Sequence, residues 1–241
     1  MAKQRLQKVL ASAGIGSRRR CEELILEGAV QVNRQLVNRL PAFVDPETDI
    51  ITVGGRRIEA EKKVYFLLNK PKGVICTTSD LLRRKKTTDL VPARERFFCL
   101  GRLDADTTGL VILTNDSELA DRLTHPRYKV PKTYIARVKG RIDSEQVEKL
   151  KRGVWLAEGK TSRASVKIVK RGREESWVEI TVQQGLNHQI RRMLAKLGLP
   201  AKALSRVRIG NLTTRGLGPG KFRPLAKAEV AHLNRIGRSV L

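Results

Sequence analysis

The stretch GRLDADTTGLVILT, residues 101–114, sets two carboxylates, Asp104 and Asp106, beside one arginine, Arg102, at the mouth of an apolar run. The chain around it carries 49 Lys+Arg against 24 Asp+Glu. A loop residue anchored by a buried strand is rigid enough to hold a reactive group in place. In a protein that binds a polyanion, a carboxylate repels the ligand's phosphates. It must therefore face an uncharged part of the ligand or be neutralised by a protein cation. The other reading is an Asx-turn aspartate that only ties its own loop. On the residues alone both readings stay open.

The composition says what such a ligand is. The formal charge is +25 and the pI about 10.7, a field that attracts polyanions over roughly a Debye length, about 8 Å at physiological salt. Residues 191–227 hold ten Lys/Arg, Arg206 and Arg208 among them, and no Asp or Glu. A solvated face would mix both signs, so a one-signed stretch points to a phosphate backbone. No amphipathic segment with a wide apolar face and no lipidation signal directs the charge to a membrane. Aromatics are 4% of residues, so an aromatic-lined pocket or a row of base-stacking rings is not expected. Cys21, Cys76 and Cys99 form no CxxC and read as buried thiols in a reducing compartment. His125, His188 and His232 are scattered, so no metal site is expected. Lys8 and Gly14 interrupt any signal-peptide core, and no apolar run approaches membrane-spanning length. A soluble, cytoplasmic, monomeric protein is expected.

The elements that must position the acids fall into an α+β pattern in two domains, 1–60 and 63–241, with the polar EAEKK (59–63) joining them. In the first, Leu6, Val9, Leu10 and Ala13 share one face of a short helix. Ser17 stands at an N-cap, Cys21, Leu24 and Ile25 mark a second buried helix face, and Gly28 stops it. AVQVN and DIITV read as short strands, with NRQ and GGR as turns. Arg18, Arg19 and Arg20 occupy the first turn of the second helix. The helix dipole disfavours cations there by about 0.3–1 kcal/mol each, unless a bound phosphate reverses the sign. Beyond the linker, VYFLL, GVICTT, FFCL, LVILT, YIARV, ASVKIV and WVEITV read as strands of a mixed, largely antiparallel sheet. Two helices are expected to flank it, SELADRLTH and NHQIRRMLAKLG. LLRRKKTTD (81–89) reads as a basic loop.

RLQKVLASAGIGSRRRCEELILEGAVQVNRQLV resembles the S-four-type RNA-binding domain, which implies RNA binding and a small α/β module. GRLDADTTGLVILTND, together with LLNKPKGVICTT, HPRYKVPKTYIARV and QGLNHQIRRMLAKLG in the same order, resembles the RsuA/RluB branch of the pseudouridine synthases. That family isomerises uridine in ribosomal RNA without metal or organic cofactor. The resemblance implies ribosomal RNA or a ribosomal subunit precursor as partner, with large-subunit RNA favoured. It matches Asp104 to the catalytic carboxylate, which acts as nucleophile or as base toward a sugar proton. Tyr134 matches the tyrosine that packs on the flipped uracil, and Arg191 the cation that pairs with the aspartate. Arg102 matches the arginine that helps displace the target base. Asp106 shapes the loop. Lys70 and Lys72 are expected at phosphates, and Arg192 and Lys196 on the RNA-facing side of the last helix. Leu186 stands where the branch usually carries a basic residue. Two rivals remain at this level. A non-catalytic ribosome-assembly factor would lack the aspartate or the tyrosine. An RNA methyltransferase with the same N-terminal module would need a glycine-rich cofactor loop after a strand, and none is seen in the second half.

Overall fold

The computed structural model describes residues 3–59 and 61–236. The chain divides into two compact units, Met1–Lys63 with Ala93–Arg96, and Val64–Pro92 with Phe97–Leu241.

The first unit runs β1 (Gln4–Arg5), α1 (Leu6–Ser12), α2 (Arg18–Leu26), β2 (Val30–Val32), β3 (Gln35–Val37), β4 (Phe43–Val44), β5 (Ile51–Val53) and β6 (Arg56–Arg57). Leu6, Leu10, Cys21 and Ile25 are fully buried and pack the two helices onto Val30 and Ile51 of a sheet ordered β3-β2-β5-β6. The Ser17 hydroxyl accepts a hydrogen bond from the Arg20 amide at 3.2 Å, the N-cap its position predicts. Asn33 and Arg34 both have positive φ, the conformation that a tight two-residue hairpin demands.

The second unit continues with β7 (Tyr65–Lys70), β8 (Phe98–Leu100), β9 (Thr108–Thr114), α3 (Ser117–Thr124), β10 (Lys132–Lys139), α4 (Ser144–Arg152), β11 (Trp155–Leu156), β12 (Gly159–Lys160), β13 (Ser165–Arg171), β14 (Glu175–Val182), α5 (Gln189–Lys196), β15 (Ala201–Ile209), β16 (Leu212–Thr213), β17 (Phe222–Pro224) and α6 (Lys227–Ile236). Its main sheet is ordered β13-β14-β10-β15-β9-β7-β17, with β8 on β9 and β16 on β15. Every pairing is antiparallel except β15 with β9, so the sheet is mixed and largely antiparallel. Two apolar clusters flank the parallel seam. One gathers Ile142 and the α4 and α5 faces on β10 and β14; the other gathers Leu67, Leu110, Ile112 and the α3 face. Leu110 to Leu113 are each fully buried, so the LVIL run is the interior strand that its composition predicts. Val178, Ile180 and Val182 are buried on one side of β14, as their alternation predicts.

Two expectations fail for physical reasons, and one strand was not anticipated. GVICTT makes no strand, only a single parallel bridge from Ile75 to Lys86. Its backbone polar groups are engaged elsewhere: the Gly73 amide donates to the Ala105 carbonyl at 2.7 Å, and the Val74 carbonyl accepts from Lys70 Nζ at 2.6 Å. Four α-helices stand in the second unit among the described residues, not two. The sequence shows little of α4, because only Val147 and Leu150 are buried on it; a reciprocal capping box of Asp143 and Gln146 starts it. The nine-residue β15 was not expected as a strand, because its Lys202, Arg206 and Arg208 belong to the one-signed stretch read as contact with a phosphate backbone.

Gly109 shows what the parallel seam requires. It lies opposite Arg206 in register, at φ +103°, and an added Cβ would sit 2.2 Å from the Arg206 carbonyl oxygen. Only a residue without a side chain lets the two strands meet there.

Candidate active site

Asp104 projects from the turn that leads into β9. This turn is closed by a hydrogen bond from the Thr107 amide to the Asp104 carbonyl at 3.1 Å. The loop is held from several directions. The Leu103 amide donates to Cys76 Sγ at 3.4 Å, and the Ala105 carbonyl accepts from both the Gly73 amide and Lys70 Nζ. Such anchoring fixes a carboxylate's position without involving its oxygens. The Asp104 side chain is 32% exposed, and its Oδ2 lies 3.5 Å from His188 Nδ1.

A cavity of about 330 Å³ opens beside it, lined among others by Arg102, Asp104, Lys132, Tyr134, His188 and Arg206. The sheet assembles this wall from distant segments. β10 pairs with β15 so that Tyr134 stands opposite Arg206, and β15 joins β9 just after the aspartate loop. Tyr134 is half-buried with its ring against the β10–β14 core, and Arg102 is exposed at the rim. Asp104, Tyr134 and Arg102 thus line one cavity. A second depression on the other side of the loop is lined by Arg102, Asp104 and Asp106 along with Asp80 and Arg84. Leu186, half-buried, lines the main cavity in place of the expected cation.

Two assignments need correction. Arg191 pairs with Asp106, not with Asp104. Its Nη2 lies 2.8 Å from Asp106 Oδ2 and donates weakly to Thr107 Oγ1 at 3.5 Å, while Nη1 donates to the Ala201 carbonyl at 3.2 Å. These contacts clamp the loop two residues past Asp104. Lys70 makes no phosphate contact, because its side chain is fully buried. Its ammonium donates to the carbonyls of Pro71 (3.1 Å), Val74 (2.6 Å) and Ala105 (3.3 Å), so it braces the aspartate loop from beneath. Burial pushes its pKa below the usual lysine value, and the carboxylates of Asp106 and Asp104 are among the charges that oppose this.

Three residues at the cavity went unread. Arg206 is 2% exposed, donates from Nε to the Leu110 carbonyl at 2.8 Å, and has Nη2 without a partner. Lys132 is driven down to about 8, first by burial and second by the neighbouring Arg206 charge. His188 begins α5 at φ +49° with no side-chain cap, which leaves its ring turned toward Asp104. Lys132 and His188 stood inside quoted motifs, Lys132 two residues before Tyr134 and His188 three before Arg191, whereas Arg206 stood outside all of them. Arg192 and Lys196 stay off the buried face of α5. Arg192 forms a two-pronged pair with Glu158, and Lys196 is exposed. Lys72 is exposed, and so are Arg18, Arg19 and Arg20 of the first unit. Arg20 is tied to Glu23 at 3.0 Å and Glu27 at 3.1 Å, whereas Arg18 and Arg19 make no ion pair with any described residue.

A family model described as RNA pseudouridylate synthase matches residues 64–196, more than half of the chain. The chain belongs to that family. It is an RNA pseudouridine synthase, an isomerase, and a second model, the S4 domain, matches residues 4–51. Among its relatives, the ribosomal large subunit pseudouridine synthase B of Bacillus subtilis is 44% identical over 97% of this chain and 96% of its own length. An uncharacterized RNA pseudouridine synthase of Aquifex aeolicus is 41% identical over 97% of this chain and 94% of its own. The crystal structure of a pseudouridylate synthase superposes with a TM-score of 0.70 at 29% identity, covering 95% of this chain and 99% of that one.

Proposed function

We propose that this synthase converts uridine to pseudouridine in ribosomal RNA, of the large subunit by preference, as a cytoplasmic monomer, with Asp104 as the catalytic carboxylate. The observation that carries the reading is an aspartate fixed by its backbone at the edge of a cavity whose other walls are Tyr134, Lys132 and Arg206. The target uridine leaves its stack, because its glycosidic bond is out of reach while stacked. Its uracil enters against the Tyr134 ring, and Arg102 at the rim takes part in displacing it. Asp104 then attacks the sugar or base, or removes a sugar proton. The N1–C1′ bond breaks, the base turns, and C5 bonds to C1′. The C5 hydrogen leaves to solvent as a proton and N1 takes one up, so no electrons enter or leave. Arg206 and Lys132 supply positive potential that receives the RNA's negative charge. The test uses ribosomal RNA carrying tritium at uracil C5, made in cells lacking the gene. The enzyme is expected to release tritium from the large-subunit fraction; release from neither fraction overturns the reading.

RNA affinity should depend on pH through Lys132. A cation whose pKa lies at about 8 is charged below that pH and neutral above it. At one unit above, roughly 90% of the charge is gone. Michaelis constants for RNA are therefore expected to climb between pH 7 and pH 9 by several-fold, about tenfold at most. Lys132→Arg, which stays charged, should flatten that rise in a pH series of tritium release.

In the first unit, Arg18 and Arg19 are exposed cations without an ion pair to any described residue, placed to meet RNA phosphates. Filter binding across a salt series is expected to give a linear log–log plot whose slope falls by about 0.7–0.9 for each of Arg18→Ala and Arg19→Ala. Arg20→Ala should change it less, because that guanidinium is already held by Glu23 and Glu27.

A further inference from the structure

We propose that Trp155 is a stacking platform for an unpaired nucleobase of the substrate RNA, flanked by cations that hold the adjoining phosphates. The proposal deepens the RNA reading above by assigning a contact outside the cavity.

Trp155 opens the two-residue strand β11 and stands opposite Lys160 of β12. The residue is 68% exposed in a protein whose aromatics are only 4% of residues. The other tryptophan, Trp177, is half-buried with Lys170 Nζ 5.2 Å from its ring centre. An indole left in water forgoes the burial that such a side chain ordinarily contributes. Beside it lies a shallow, open depression floored by Leu156, Ala157 and Ala195, with Arg192 and Lys196 at its edge. Two alanines leave a low apolar floor next to a flat ring, room that suits a second flat ring.

The charges choose the occupant. Lys160 and Lys196 are exposed and form no ion pair with any described residue. The acid of the hairpin tip, Glu158, is neutralised by the two-pronged pair with Arg192, which pulls its carboxyl down to about 2. An aromatic face rimmed by free ammonium groups suits a base stacked above and phosphates to either side, since every base offers a π-face and every nucleotide a negative charge. The site is also placed for the reaction. α5 presents Arg191 to the aspartate loop and the next residue, Arg192, to the β11–β12 hairpin. The platform is thus one helix away from the cavity that takes the uridine.

Intrinsic fluorescence reads this directly in the full-length enzyme, since only two tryptophans emit. Titration with a single-stranded oligouridylate is expected to quench wild-type emission, and a blunt RNA duplex of equal length should do so far less. Trp155→Phe should lose most of the quench while keeping most of the affinity. In tritium release from C5-labelled ribosomal RNA, Trp155→Ala is expected to raise KM roughly tenfold with kcat retained, and Trp155→Phe to restore most of it. Wild-type emission unmoved by saturating oligouridylate, or an unchanged KM in Trp155→Ala, overturns the proposal. So does an emission shift that follows protein concentration without RNA, which would make the patch a contact between copies of the chain. If the quench is present but wild-type enzyme releases no tritium, the ribosomal RNA reading falls and the platform stands.

Discussion

Asp104→Asn is expected to release no detectable tritium, a fall of at least about 10³-fold, while still folding and binding RNA. The amide keeps the size of the side chain but cannot act as nucleophile or base. The loop should not collapse, because its anchors are the Leu103 amide, the Ala105 carbonyl and the Thr107 amide on the Asp104 carbonyl, rather than the Asp104 carboxylate. Removing one negative charge from a cavity that holds Lys132 and Arg206 should leave RNA affinity equal or somewhat higher. Pseudouridine has the mass of uridine, so tritium leaving C5 is the measurement to make. The informative control is Asp106→Asn. Asp106 bears the ion pair to Arg191 at 2.8 Å, so this variant should lose the clamp and some rate, about tenfold, without losing the reaction. Tritium release by Asp104→Asn together with silence from Asp106→Asn would transfer the catalytic role to the acid that Arg191 holds.

Gly109→Ala is expected to be the most damaging change of a single methyl group in the second unit. Two effects combine. The residue has φ +103°, which an L side chain rarely adopts, and the new Cβ would stand 2.2 Å from the Arg206 carbonyl, a backbone atom fixed in the central sheet. The strands must part at the parallel seam, and the hydrogen bond from Arg206 Nε to Leu110 is strained with them. A loss of about 4 kcal/mol or more is expected, which lowers Tm by roughly 8–16 °C in a chain of this size. Gly73→Ala separates the two effects. It shares the positive φ, at +84°, but its added Cβ meets nothing within 4 Å. Its cost should be about 1–2 kcal/mol. Equal melting shifts for the two variants would show that the close approach of β9 and β15 contributes nothing. Because the same seam sets Asp104 beside Arg206, any folded Gly109→Ala protein should also lose activity.

What the sequence determined by itself is local. Ser17 caps α2, Val178, Ile180 and Val182 share a face of β14, and the LVIL run is interior, because short-range hydrogen bonding and hydrophobic periodicity are written within a few residues. The position of Asp104 at the mouth of that run followed from the same local logic. Partners were another matter. Arg191 is far along the chain from both acids of the loop, and only the packing of α5 against β15 and the loop decided that it meets Asp106. Lys70 looked like any surface cation, until three carbonyls from its own turn and the Ala105 loop closed around it. Arg206 lay in a segment whose one-signed charge read as facing a phosphate backbone. Yet a strand's side chains alternate between faces, and the register of β15 against β10 and β9 turned this one inward. Long cations carry enough methylene to be buried and enough charge to be solvated. Which of the two occurs depends on whether distant backbone carbonyls or carboxylates arrive to replace water, and that is settled only by the tertiary fold.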